Sequence, residues 1–308
     1  MTRSSVSRRG LPCWTRRSIH PKIFPCEGIK GEKKEMKITR VCAVYFSATG
    51  NTRKVVTSLA RALAAGFDAP LEVVDFTLPA AREETYSFAP TDLVIFGTPT
   101  YAGKVPNKLL PFVKSGFAGN GALCVAVVTF GNRAYDNSLA ELCACLEADG
   151  FHTVAGGAFA AQHAFSKTLA AGRPDEEDMM ELGKFGAAIA GKLARRSDPG
   201  EPVSVPGAAD APYYTPRGLD GEPKMFLKAK PVTDPDKCMQ CGVCAALCPM
   251  GSIDPADATQ VTGICIKCHS CVKNCPVEAK YFTDEAFLSH RAMLERDYTR
   301  RAAPEWFV

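Results

Sequence analysis

The sequence predicts an α/β protein: a doubly wound, five-stranded parallel sheet, followed by a small α+β domain built around cysteines. Three observations carry this. Between residues 38 and 196, strand-length apolar runs alternate with helical patterns, as parallel strands joined by crossover helices do. Eight of the 14 cysteines fall between residues 238 and 275. Residues 198–236, between these regions, hold eight of the 22 prolines and four glycines with little apolar periodicity, which marks a linker or an extended strap.

The elements follow in order. Residues 38–46 (ITRVCAVYF) form an apolar, β-branched run of strand length. The turn residues 47–52 open a helix with Val55, Val56, Leu59, Ala60 and Leu63 on one side, stopped by Gly66. Residues 71–76 are a second strand and 92–97 a third. Pro106 opens a helix running to Val113. Residues 122–130 are a fourth strand, continuously apolar as a buried parallel strand is. Residues 135–148 read as a helix, 152–160 as the fifth strand and 175–196 as the last helix. Five such strands suit a doubly wound sheet. The Pro-rich stretch is long for a loop inside a domain, so a boundary falls there. The expected division is an N-terminal extension at 1–36, the α/β domain at 37–197, a linker at 198–228, the cysteine domain at 229–285 and a tail at 286–308. The tail carries Phe287, Leu288, Met293 and Leu294 at helical spacing and is expected to pack back on one of the domains.

The chain has 308 residues, 46% apolar and 23% charged, the balance of a soluble globular protein of about two domains. No apolar run approaches the ~18 residues of a membrane span, which argues against membrane insertion. Net charge is +4, but the first 35 residues carry nine Lys/Arg and three Asp/Glu, and the remainder 28 against 30. The basic balance belongs to the N-terminal extension, so the folded part carries no electrostatic footprint for nucleic acid. The extension is Arg-rich and Ser-rich, like a targeting segment, but lacks an apolar h-region. Codons for Lys30-Gly31-Glu32 can spell a purine-rich stretch of the kind that precedes a bacterial start codon, and Met36 is the expected first residue.

The cysteines form two runs 27 residues apart. The first is Cys238-x2-Cys241-x2-Cys244-x3-Cys248-Pro249, the second Cys265-x2-Cys268-x2-Cys271-x3-Cys275-Pro276. A chain this long needs no disulfide staples, and such crowding argues for metal ligation in a reducing, cytoplasmic compartment. Zinc sites are typically built from two CxxC pairs, which these runs fit poorly. The runs resemble bacterial two-cluster ferredoxins at every ligand position and at both prolines. That resemblance implies two [4Fe–4S] clusters, with the fourth cysteine of each run crossing to the other cluster. One would use Cys238, Cys241, Cys244 and Cys275, the other Cys265, Cys268, Cys271 and Cys248. His269 is expected to face solvent or a cluster sulfur without being a ligand.

Ser47, Ala48, Thr49, Gly50, Asn51 and Thr52 join the first strand to a helix N-terminus, where amides and hydroxyls favour an anion. The loop has neither GK[ST] nor GxGxxG, so neither a triphosphate nor a dinucleotide is expected; a monophosphate can be held by hydroxyls and amides alone. The pattern resembles the FMN phosphate loop of flavodoxins. Two later loops, each following a strand, match the isoalloxazine loops of that family in position. One supplies Pro99, Thr100, Tyr101, Ala102 and Gly103, the other Thr129, Phe130, Gly131, Asn132 and Tyr135. Tyr101, then Tyr135, are the candidates to stack on the ring. The sequence departs from free-standing flavodoxins in its tryptophans, which are only Trp14 and Trp306. A scaffold that has lost its FMN is the competing reading of these loops.

The whole chain from residue 37 resembles the flavodoxin–ferredoxin fusion proteins of anaerobic bacteria. The resemblance implies electron transfer between unidentified redox partner proteins, with single electrons passing through the clusters and FMN converting electron pairs to single electrons. An FMN-dependent reductase of quinones or nitro compounds, and an iron–sulfur sensor or assembly subunit, are the alternatives. Cys42, Cys124, Cys143 and Cys145 are expected to be buried thiols, and His152 and His163 structural.

Overall fold

The computed structural model describes residues 37–195 and 197–308. The expectations for residues 1–36, and for the end of the last helix at Arg196, lie outside the described residues. The five expected strands form as β1 (Arg40–Tyr45), β2 (Leu71–Asp75), β4 (Asp92–Pro99), β6 (Leu123–Phe130) and β7 (His152–Ala160), with the two-residue strands β3 (Tyr86–Ser87) and β5 (Phe117–Ala118) paired outside the sheet. All five run parallel, in the order β2-β1-β4-β6-β7. This is the 2-1-3-4-5 order of doubly wound folds.

Side-chain alternation divides the core between two faces. Val41, Ala43 and Tyr45 of β1, with Leu93 and Ile95 of β4, bury against α1 (Asn51–Gly66) and α4 (Glu176–Leu193). Cys42, Val44, Val94 and Phe96 point the other way, toward Leu139, Leu142 and Leu146 of α3 (Ser138–Ala148). The period of two along each strand explains both faces at once. Cys42, Cys124, Cys143 and Cys145 are all buried, and burial raises each thiol pKa, those of Cys42 and Cys143 to about 12 and that of Cys145 to about 11.

Three boundaries differ from expectation. The helix expected from Pro106 is confined to α2 (Leu110–Val113), because Pro111 lacks an amide and is tolerated only in a first turn. α3 starts at Ser138 rather than Tyr135, since Asp136 takes φ 44, outside the helical region. The sheet has a sixth strand, β10 (Glu305–Phe307), antiparallel to β7. Trp306, expected outside the α/β domain, lies in that strand and packs on Phe185 at 5.8 Å.

The Pro-rich strap is extended and pinned. Val203 N–H donates to Thr153 O (2.8 Å), Ala208 N–H to Asn137 Oδ1 (2.9 Å) and Tyr214 N–H to Ala102 O (2.8 Å). Buried Lys104 donates to Ala209 O and Ala211 O and pairs with Glu141 at 3.1 Å. The cysteine region follows, with β8 (Val232–Thr233) antiparallel to β9 (Lys280–Tyr281), and the single-turn helices α5 (Val243–Ala246) and α6 (Ser270–Lys273). The tail forms α7 (Glu285–Asp297), capped by Asp284, and buries Phe287, Met293 and Leu294 as its spacing predicts. Among the described residues no helix is long and apolar enough to cross a membrane.

Candidate redox site

The cysteine repeat is a repeat of backbone shape. Left-handed residues recur 27 positions apart, at Gln240 and Lys267, Gly242 and His269, and Gly251 and Glu278. Each run therefore wraps the same loop. One cavity is lined by Cys238, Cys241, Cys244 and Cys275, a second by Cys248, Cys265, Cys268 and Cys271. The fourth cysteine of each run thus lies in the other run's cavity. Four soft donors around each cavity fit a cubane core. Backbone donors reach the sulfurs at equivalent places: Ser252 N–H to Cys248 Sγ (3.3 Å) and Ala279 N–H to Cys275 Sγ (3.2 Å). Lys267 N–H adds one to Cys265 Sγ (3.4 Å). Such hydrogen bonds to sulfur raise a cluster's potential.

The two cavities differ in exposure. Cys241 is exposed, and Met239 beside it is 61% exposed. Cys268 and Cys271 are buried, and burial lifts both thiols, Cys271 to about 12. His269 does not face solvent. It is buried, stacked on Phe282 (4.6 Å) and Phe287 (5.4 Å), and its Nε2 has no partner.

The second cavity lies at the carboxyl edge of the sheet. Arg82 donates to Phe76 O (2.8 Å), Thr77 O (2.6 Å) and the carbonyl of Pro249, next to the crossing ligand Cys248. Lys273 Nζ donates to His163 O (3.0 Å), and the Phe165 ring meets His269 (5.0 Å) and Phe287 (4.9 Å). Tyr101 is half-buried. Burial, then the charges of the Cys268 and Cys265 thiols, push its pKa well up.

The loop after β1 fits a phosphate. Gly50 takes φ 89 and starts the 16-residue α1. Ser47 N–H donates to Thr77 Oγ1 (2.8 Å), and Arg53 N–H to Ser47 Oγ (3.0 Å). Among the described residues the amides of Ala48, Thr49, Asn51 and Thr52 have no acceptor, so four donors stand at the positive end of a long helix. Asn51 Nδ2 donates to Gln162 O (3.2 Å), tying this loop to the segment after β7.

The remaining predicted residues divide. Pro99 closes β4 opposite Thr129, Thr100 N–H donates to Thr129 O (2.7 Å), and Ala102 (φ 48) and Gly103 (φ 77) make the following turn. Five side chains expected near the flavin face inward instead. Thr52 and Thr129 hydroxyls bond each other at 2.7 Å, both buried. Phe130 lies in the core against Tyr135 at 5.6 Å. Tyr135 is buried, its hydroxyl donating to Glu305 Oε2 (2.7 Å), so the tail draws it away from a stacking position. Asn132 donates to Tyr298 O and Arg300 O (both 2.7 Å) and accepts from Ala302 N–H (3.1 Å) and Arg173 (3.3 Å). Its amide is fully used, with no capacity left for a ligand.

His163 carried no signal in the sequence, yet it lies in this cleft. Its ring covers Gly131, where a Cβ would fall 2.7 Å from its Cγ. Nδ1 accepts from Phe165 N–H (3.1 Å), which leaves the ring proton on Nε2. Burial, with the charges of His290, Lys273 and Arg133, pushes its pKa down to about 3.

Residues 42–138 match the family model described as Flavodoxin domain, and residues 231–254 and 262–280 match two models described as 4Fe-4S binding domain. No curated protein matches. Among solved structures, the chain is similar to a flavodoxin of Streptococcus pneumoniae TIGR4, at 20% identity over 50% of this chain and 99% of that one, TM-score 0.36. It is also similar to oxidised flavodoxin 2 of Bacillus cereus, at 20% identity over 50% and 99%, TM-score 0.38. Rubredoxin oxygen:oxidoreductase of the anaerobe Desulfovibrio gigas matches at 19% over 52% of this chain and 37% of that one, TM-score 0.32.

Proposed function

We propose, for a chain that carries a flavodoxin domain and two 4Fe-4S binding domains, a linear electron relay: FMN, the cluster of the buried cavity, the cluster of the exposed cavity, and a redox partner protein. An electron-transfer role follows from the domains themselves. The order within the relay rests on one observation: Gly131, in a loop assigned to the flavin ring, lies under the His163 ring, and the His163 carbonyl accepts from Lys273 of the second cysteine run. A loop assigned to the flavin ring and the second cysteine cavity are thereby neighbours. Bound FMN would supply the exchange between electron pairs and single electrons.

The chain's own groups do the rest. The free amides after β1 would hold the phosphate, and Tyr101, Gly103 and Gly131 would flank the ring. Cys265, Cys268, Cys271 and Cys248 would ligate the nearer cluster; Cys238, Cys241, Cys244 and Cys275 the outer one. We take 37–197, 198–228, 229–285 and 286–308 as the domain division, and a reducing cytoplasm as the setting.

Purification of the full chain without oxygen, followed by flavin, iron and sulfide analysis, tests the reading. It requires about one FMN and about eight irons per chain, as two [4Fe–4S] clusters demand. Iron without flavin after soaking in FMN would leave a two-cluster ferredoxin, and zinc in place of iron would end the proposal.

A further inference from the structure

A groove beside Cys265 is lined by Leu227, Lys228, Ala229, Lys230 and residues 262–265. Leu227 (75%) and Met225 (73%) are the two most exposed large apolar side chains among the described residues, and Ile264, in the groove wall, is 54% exposed. Scattered exposed apolar residues are ordinary, but a group around one concavity marks a protein contact surface. No Asp or Glu lines this groove. One lining cation, Lys230, is held in place, as is Lys267 beside the groove. Lys230 Nζ donates to Val261 O (2.8 Å), and Lys267 Nζ to Leu227 O (2.9 Å) and Cys265 O (3.0 Å).

We propose that this groove docks an acidic one-electron carrier protein, which exchanges electrons directly with the cluster at Cys265, a second protein contact that joins the relay at its inner cluster rather than at its exposed end. Residues 36–308 carry more Asp/Glu than Lys/Arg, so an acidic carrier gains nothing from the overall charge. Lys228 and Lys230 around an apolar centre reverse the sign at this face, which selects both partner and orientation. Transfer is a single electron: the reduced centre is oxidised, its acceptor is reduced, and no bond forms or breaks. The inference rests on the reading that Cys265 holds a cluster, and it does not require FMN.

The test uses the dithionite-reduced full-length holoprotein in stopped flow, with two acceptors sharing one haem. These are native cytochrome c, which is basic, and cytochrome c with succinylated lysines, which is acidic. At low salt the K228E/K230E pair should slow reduction of the acidic acceptor by about tenfold or more, and high salt should erase the difference. K228Q/K230Q should fall between, and is read instead if charge reversal prevents folding. M225S/L227S should slow the same acceptor at high salt, where only the apolar contact remains. Equal rates for wild type and charge-altered variants, with iron and sulfide intact, would overturn the docking site. Absence of iron and sulfide from the wild type would instead sink the cluster reading, before any rate is compared.

Discussion

Asn132 lies in a loop assigned to the flavin ring, yet its amide holds the C-terminal segment. Asn132→Ala strands the Tyr298 and Arg300 carbonyls and the Ala302 N–H, all previously bonded at 2.7–3.1 Å. At ~0.5–1.5 kcal/mol net per bond, three bonds give about 1.5–4.5 kcal/mol. Asn132 also sits at φ 70, a conformation alanine tolerates less well, for about 1 kcal/mol more. The loss is local, because these bonds anchor the approach to β10, while β1 to β7 keep their own ladder. Hydrogen exchange of the β10 amides that pair with β7 reads it directly. Every 1.4 kcal/mol of lost protection is about tenfold in exchange, so acceleration of tenfold or more is expected. Asn132→Asp should be worse than Ala, since it places an acceptor against two carbonyls. Unchanged exchange at β10, or an Asp variant milder than Ala, would refute the clasp. Flavin loss with β10 undisturbed would make Asn132 a ligand contact instead.

Gly131→Ala should lower the melting temperature, by an overpacking cost of about 1–3 kcal/mol against His163, and His163→Ala in the same chain should recover most of it; additive losses would contradict the contact. Asp149, at the C-terminal end of α3, has its pKa raised to about 6, first by burial, with Lys114 opposing; its Oδ2 has no partner. The folded state therefore binds this proton more tightly than the unfolded one, and stability falls as pH rises from about 4 to 6. Asp149→Asn should stabilise the protein above pH 6, by less than ~1 kcal/mol given its partial exposure, and have no effect near pH 4; a pH-independent gain in urea titrations would contradict this. On exposure to air, the cluster signal of the cavity holding exposed Cys241 should decay before that of the cavity holding Cys268 and Cys271. Simultaneous loss in freeze-quenched spectra would argue against their difference in burial.

The fold was legible where it is encoded locally. Continuous apolar runs announced the five parallel strands, and the face of α1 followed from five residues at helical spacing. The cysteine cavities were legible because a 27-residue repeat specifies both backbone loops and donors. What escaped is set by distant contacts. β10 is three residues long and has no periodicity; it exists because β7 offers an edge. The inward turn of Tyr135 depends on Glu305, 170 residues away, and that of Asn132 on carbonyls equally remote. His163 carries no motif because its place comes from Asn51 holding Gln162 and from the absent side chain of Gly131.

β10 also imposes an order in time. β7 ends at Ala160 and its partner begins at Glu305, with both cysteine runs between them. A ribosome adding about 5–20 residues per second makes the partner roughly 7–30 s after β7. During that interval the described residues of the strap pair with β7 only at Thr153, through Val203, and the stretch later covered by β10 is an open template for pairing with another chain. The nascent sheet is thus closed only after all eight cysteines have been made. Closure by β10 and self-association then compete during synthesis, and a chain that stops before Glu305 should aggregate more than the full chain.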